Sequence, residues 1–296
     1  MTERVTRGDG PDGEAGRGRR RVLRLGGGLG AACAGAVLTG GLTAGCAGGG
    51  ADRGDGGDRG EGGDGGDGGA ARGSGGRDRP AASRAPRPGP APRRFPGLPA
   101  QIAHGPRDRR QVALTFHGQG DPATARALLG AAEKAGAKVT VLAVGGWLDE
   151  HPALARRVLD GGHDLGNHTL RHLDINGMSE ADAYAEITGC ADRLRRLTGS
   201  IGTWFRPSRA ERASPLVERL ARRAGYPHVL SYDVDSLDFT SPGAPAVTRN
   251  IAARVRAGSV VSLHFGYADT VAALPAVLQE LERRGLRAVT TTELLS

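Results

Sequence analysis

The sequence predicts an α/β fold whose parallel sheet closes into a distorted barrel of seven to eight β/α units. Three observations predict it. From Gln111 onward, short apolar runs alternate with helix-period stretches to the C-terminus. About seven such units follow one another, which favours closure over an open sheet. His117, His168, Arg206, Asp233 and His264 all fall at or just past the C-terminal end of an expected strand, where barrels carry their chemistry.

Residues 112–116 (VALTF) read as a buried strand, and Asp121-Pro122 opens a helix to Ala135 with proline at its first position. A strand follows at 138–144, a helix at 152–159 ended by Gly161-Gly162, and a short strand at 163–166. Ser179-Glu180 begins a long helix reaching Leu197. Strands at 203–205 and 228–233 flank a helix at 215–224. Helix 245–257, strand 259–264, helix 270–284 and strand 286–290 complete the pattern.

The N-terminal third has a different composition. Arg19-Arg20-Arg21-Val22-Leu23-Arg24 resembles a twin-arginine export signal, and an apolar, glycine-rich stretch follows. It ends in Leu42-Thr43-Ala44-Gly45-Cys46, which resembles a lipobox with Cys46 as the lipidated residue; the alternative is a retained anchor helix. Residues 1–46 are therefore read as a leader that carries the chain to the outer face of the membrane. Residues 47–106 are read as a disordered linker. Its Gly-Gly-Asp repeats and the later Arg/Pro/Ala segment cannot bury enough apolar area to offset ordering entropy. Residues 107–296 form the expected domain, long enough for a single core and read as a monomer.

Charge narrows the partners. The chain carries +8, with 40 Lys+Arg against 32 Asp+Glu, but residues 107–296 hold 24 basic and 21 acidic side chains. The excess lies in the leader and linker. The domain shows no basic stripe with interleaved aromatics, which excludes a nucleic-acid reading. Cys190 is the one cysteine of the domain, so no internal disulfide forms there, and its helical context suits a small core residue.

The chemistry concentrates in three runs. Gly162-His-Asp-Leu-Gly-Asn-His168-Thr-Leu-Arg-His172 places two imidazoles four residues apart, a spacing that lets both reach one divalent ion. Leu263-His264 ends an apolar strand. Thr115-Phe116-His117-Gly118-Gln119-Gly120-Asp121 sits at the end of the first strand. Together they point to metal-assisted hydrolysis.

These runs resemble the polysaccharide deacetylase family, the NodB-homology or carbohydrate esterase family 4 group, in motif order over residues 107–296. Gly166-Asn167-His168-Thr169-Leu170-Arg171-His172 matches its metal-histidine motif, Phe205-Arg206-Pro207 its third, Ser231–Phe239 its fourth and Val260–His264 its fifth. The first motif departs. The family pattern Thr-Phe-Asp-Asp-Gly-Pro supplies a catalytic base and then a metal ligand; here His117 and Gly118 stand in those places. Glycines 118 and 120 leave the loop free to bring Asp121 into either role.

The resemblance implies a divalent metal, zinc by preference, held by His168, His172 and Asp121. It implies His117 as base, with a third nitrogen ligand as its alternative role. His264 is implied as general acid, held by Asp233 or Asp235, with Arg206 orienting the carboxylate near the metal. Leu263 and Tyr232 are implied to line the acetyl pocket. The expected substrate is an acetylated glycan, and the alternative function is a non-catalytic glycan-binding lipoprotein with a degenerate site. Structural roles are expected for His104, His151, His163 and His228. Asp238 is expected as a turn residue or a helper of a ligand.

Overall fold

The computed structural model describes residues 87–296. The expected leader, Cys46 and the Gly-Asp linker lie outside the described residues. In order, the elements are β1 (Gln101–Ile102), β2 (Gln111–Gly118), α1 (Pro122–Lys134), β3 (Thr140–Ala143), α2 (Gly145–Glu150), α3 (Ala153–Asp160) and β4 (Asp164–Asn167). Then come α4 (Glu180–Thr198), α5 (Pro215–Arg223), β5 (Val229–Leu230), β6 (Val234–Asp235), α6 (Ala244–Ala252), β7 (Val260–His264), α7 (Ala268–Arg283), β8 (Arg287–Val289) and α8 (Thr291–Leu295). Among the described residues no helix is long and apolar enough to cross a membrane.

The main sheet runs β4-β3-β2-β7-β6, all parallel, with β8 beside the first half of β2. One-residue bridges at Phe205 carry the sheet from Asn167 to Val229, where β5 pairs with β1. The Asp233 amide then donates to Val260 O and returns the chain to β7. The result is the expected parallel-sheet α/β barrel with irregular closure.

Period-two alternation sorts the strand residues. Leu114, Phe116, Val141, Leu165, Val261 and Leu263 face outward into the helix-packed core. Ala113, Leu142, Val260 and Val289 face inward, packing with Trp204 and Leu294 at the lower end of the barrel. Thr115 and His117 continue the inward row of β2 toward its C-terminal end.

Most expected elements appear within two or three residues of their expected limits. Three expectations change. The strand at 203–205 is only a bridge at Phe205, because Gly202 (φ +86°) and Pro207 bound it. The strand expected at 228–233 is cut to β5, and β6 begins only after it, at Val234. Two helices carry no clear sequence signal: α2, whose Gly145-Gly146 start resembles a turn, and α8, which is only five residues long.

The linker boundary is also corrected. Residues 87–106 do not stand off as a tether but run across the lower end of the barrel. Phe95 is buried and stacks on Trp204 with ring centroids 5.5 Å apart. Its amide donates to His228 Nε2 (3.0 Å), while His228 Nδ1 donates to Pro99 O (2.8 Å). Gly89 N and Ser200 Oγ tie the strap to the end of α4 through Thr198 O and Pro90 O. Arginine and proline dominate this segment, and a single aromatic anchor outweighs that composition.

Candidate metal centre

Four histidines meet at the C-terminal ends of the strands. His117 stands beside His264 in the β2–β7 register. Their ring centroids lie 4.3 Å apart, as do those of His117 and His168; His168 and His172 are 4.9 Å apart. One donor atom from each of His117, His168 and His172 lies within 4.8 Å of the others.

The loop after β4 sets this geometry. Asn167 is fully buried and spends its amide on Ile187 O and Tyr226 Oη, and its Oδ1 accepts the Thr169 amide. Thr169 (φ +69°) and His172 (φ +57°) adopt the left-handed conformation. For a β-branched residue this is strained, at about 1–3 kcal/mol, and such strain concentrates at functional sites. Three anchors offset it. Thr169 Oγ1 donates to Ser208 Oγ, Arg171 N donates to the buried carboxylate of Glu186, and the first amides of α2 donate to Thr169 O and Leu170 O. Gly145 eases this close approach, since a Cβ would lie 2.9 Å from Leu170 Cδ1 and 3.2 Å from Leu170 Cα. His168 and His172 thus converge through two left-handed residues in a loop, not across one helical turn.

His168 carries the clearest sign of a ligand. Its Nδ1 donates to Arg206 O at 3.1 Å, which leaves the lone pair on Nε2. That Nε2 is fully buried and has no hydrogen-bond partner. A buried acceptor left unpaired costs about 1–3 kcal/mol, so the position is built to be filled. Burial and the neighbouring charges hold His117 and His168 well below the ordinary histidine pKa; His172 is lowered by burial and Arg209. All three are neutral donors at pH 7, and three imidazoles suit an open zinc site. The donor set fits a divalent ion.

Several expected residues stand elsewhere. Asp121 is not among the clustered donors; it is exposed and caps α1, accepting from Ala123 N at 2.6 Å and Thr124 N at 3.2 Å. His117, not Asp121, stands beside His168 and His172 in the cluster. Gly118 cannot supply a ligand, and the strand has closed over its position. A Cβ there would lie 2.9 Å from Val141 Cγ1 and 3.0 Å from Ala143 Cα. Gly118→Asp is therefore expected to destabilise the domain by about 1–3 kcal/mol without tightening metal binding. Thermal melting with a zinc titration checks this, and a tenfold gain in affinity would contradict the three-histidine set.

The partner of His264 is Asp238, not Asp233 or Asp235. Asp238 Oδ1 accepts from His264 Nδ1 at 2.7 Å, and Oδ2 accepts from the His264 amide (2.8 Å) and Thr270 Oγ1 (2.6 Å). Asp238 is fully buried, and these donors hold its pKa below the usual value although burial alone would raise it. Asp233 instead pairs with Arg107 (2.7 Å) and Val260 N, four residues before His264 along β7. Asp235 accepts its own turn amide from Leu237.

Arg206 orients no carboxylate. Its guanidinium is fully buried and donates to Leu230 O, Thr115 Oγ1 and Ser231 O. Leu263 faces the outer core, away from the histidines. Tyr232 is half-buried with its ring 5.4 Å from the Arg206 guanidinium carbon. Cys190 is buried and its thiol is pushed up to about 12 by burial, an inert core group. His163 packs inside, accepting Val139 N and facing Glu133.

The lowered histidines set an acid limit for the metal-free protein. Their folded pKa values lie below the unfolded value near 6.5, so below that pH the unfolded chain binds more protons. Stability then falls as pH drops, by about 1.4 kcal/mol per pH unit for each of His117 and His168. Urea denaturation between about pH 7 and pH 5 checks this; a flat profile would contradict the neutral, desolvated pair.

A family model described as polysaccharide deacetylase matches residues 104–229. The chain is 31% identical over 194 residues to a peptidoglycan-N-acetylglucosamine deacetylase of Bacillus cereus, covering 64% of this chain and 90% of that protein. Among solved structures, a peptidoglycan N-acetylglucosamine deacetylase superposes with a TM-score of 0.62 at 25% identity, covering 66% of this chain and 92% of that one. A carbohydrate esterase family 4 pseudoenzyme from Bacillus anthracis shares the fold at a TM-score of 0.63 and 22% identity, covering 67% and 70%. A mutant of that pseudoenzyme has restored enzymatic activity.

Proposed function

The chain belongs to the polysaccharide deacetylase family, carbohydrate esterase family 4, and from that premise we propose that it is a metal-dependent hydrolase. It removes acetyl groups from an acetylated polysaccharide of the cell surface or surroundings. The observation that carries this reading is the unpartnered, buried Nε2 of His168 among three neutral imidazoles.

His117, His168 and His172 would hold the ion, zinc by preference. A divalent ion held there would polarise an acyl carbonyl and lower the pKa of water towards about 7. His117 is held neutral by burial and is a weak base, so it serves better as ligand than as proton acceptor. Proton transfer then falls to His264. Asp238 fixes its Nδ1–H, leaving Nε2 to take a proton from the attacking water and return it to the departing amine. The charge on the imidazolium is balanced by the buried Asp238 carboxylate.

Apolar residues around the site suit a sugar ring. Leu173, Leu237 and Phe239 are the exposed large hydrophobic side chains among the described residues. Leu173 follows His172, Leu237 and Phe239 bracket Asp238, and the Phe239 ring lies 5.6 Å from that of His264. Export and lipidation at Cys46 complete the reading. The Arg19–Cys46 pattern supports a domain held on the outer face of the membrane, with the segment before residue 87 as its tether. Acetate release from acetylated peptidoglycan and chitin oligomers, with zinc or cobalt supplied, tests the activity; no release from any of them would sink it.

One observation favours a second reading. Among the described residues no carboxylate joins the clustered donors, and the first motif lacks its usual paired aspartates. A glycan-binding protein without turnover would keep its glycan affinity in His168→Ala and release no acetate.

A further inference from the structure

Charge is sorted along the barrel axis. Asp121, Asp182 and Asp269 stand at the starts of α1, α4 and α7, on the side of the histidines. Lys134, Arg196, Arg223 and Arg283 close α1, α4, α5 and α7 at the lower end. The helix dipole favours cations there. It does not account for Arg109 and Arg110, which precede β2, or for Arg254 and Arg256, in the loop that enters β7. These four are exposed, and among the described residues their side chains make no hydrogen bond or ion pair. Arg110 and Arg256, with Arg107 and Arg284, line a cleft of about 370 Å³ between the loops that enter β2, β7 and β8. Arg107 is paired with Asp233 and held by Ala257 O; Arg284 is paired with Glu280 and held by Val255 O. Asp108 is the one carboxylate on the lining. Two uncompensated guanidiniums thus share a concave site with fixed walls, and their planar forks match phosphate oxygens.

We propose that the lower end of the barrel is a docking surface for a membrane of anionic phospholipids, with a headgroup phosphate seated between Arg110 and Arg256. The choice of partner rests on the outer-face reading of the Arg19–Cys46 pattern; the chemistry at the metal centre plays no part in it. Gly89 and Pro90 are tied to the end of α4, so the chain that would carry the anchor joins the domain on the arginine side. The parallel strands then run away from the lipid, and the four histidines open toward glycan on the far side. Attraction of this kind decays within a Debye length and adds to a covalent anchor without replacing it.

The test uses the full chain carrying Cys46→Ala, which removes the lipid site and leaves the charge unchanged. Its sedimentation with mixed phosphatidylglycerol and phosphatidylcholine vesicles is compared with that on phosphatidylcholine alone. Beside it run Arg110→Gln with Arg256→Gln, and a control pair on the histidine side, Arg126→Gln with Arg212→Gln. The parent is expected to prefer the anionic vesicles. At about 0.05 M salt the Arg110 and Arg256 pair should bind them about 25-fold more weakly, and the control pair within about threefold of the parent. The difference should fade at about 0.5 M salt, and both pairs should melt with the parent. Amide exchange locates the contact: on anionic vesicles residues 105–110 and 253–258 should slow, and residues 168–172 should not. No preference for anionic vesicles, equal binding by the two pairs, or slowing confined to other segments would overturn the inference. Full release from the vesicles by poly(glycerol phosphate) at equal phosphate would also overturn it, and would assign the arginines to a soluble phosphodiester polymer. The anchor is read separately, from the mass of Cys46 in the exported chain, so failure of one reading is distinguishable from failure of the other.

Discussion

Replacing Asp238 by asparagine is expected to lower kcat on an acetylated glycan by about 10²–10⁴ while the domain stays folded and still binds zinc. Three donors converge on the Asp238 carboxylate: the His264 amide, His264 Nδ1 and Thr270 Oγ1. An asparagine accepts through one oxygen only, and its NH₂ must face one of those donors. The imidazolium then loses both its orienting partner and its counter-charge. Because Asp238 touches no member of the metal cluster, zinc affinity should change less than threefold (under about 0.7 kcal/mol). Asp233→Asn and Asp235→Asn provide the contrast, with the first acting on stability through Arg107 and Val260. Unchanged turnover in Asp238→Asn would show that His264 is not the proton carrier.

Phe95→Ala is expected to destabilise the domain by about 3–5 kcal/mol, the usual cost of emptying a buried aromatic site. For a domain of this size that lowers the melting temperature by about 6–20 °C. The ring fills the lower end of the barrel against Trp204, whose own Nε1 is fixed by Asp164 and Thr292. Its loss also frees the strap that carries β1 into register with β5. The histidine cluster is at the opposite end, so zinc affinity measured below the melting transition should be retained. A melting temperature within about 2 °C of the parent would mean that residues 87–106 are a tether after all.

Both results turn on residues whose roles the sequence does not reveal. Strand and helix periodicity is strong from Gln111 to Thr290, so the β/α alternation, its parallel sense and the strand-end position of the histidines are all legible there. His168, His172 and His264 are legible too, each standing where its motif places it. The role of Asp238 is not. Three aspartates occur within six residues, and which one faces His264 depends on a break between β5 and β6 and on the left-handed Leu237 (φ +56°). Composition gives no warning of either. Asp121 misleads for a related reason: Asp-Pro at a helix start is a good cap, and the cap wins over the metal. Leu263 is placed on the wrong face by motif position alone, whereas period-two counting from His264 would have turned it outward. Phe95 is hidden by its arginine- and proline-rich surroundings, since a single anchor leaves no periodicity.

The three-histidine centre is tested most directly by titrating zinc into the full chain beside His168→Ala, His117→Ala and Asp121→Ala. One site is expected in the parent. It should vanish in His168→Ala, weaken by at least about a hundredfold (some 2.7 kcal/mol) in His117→Ala, and persist in Asp121→Ala. No binding to the parent, or a site that survives loss of His117 but not of Asp121, would contradict it.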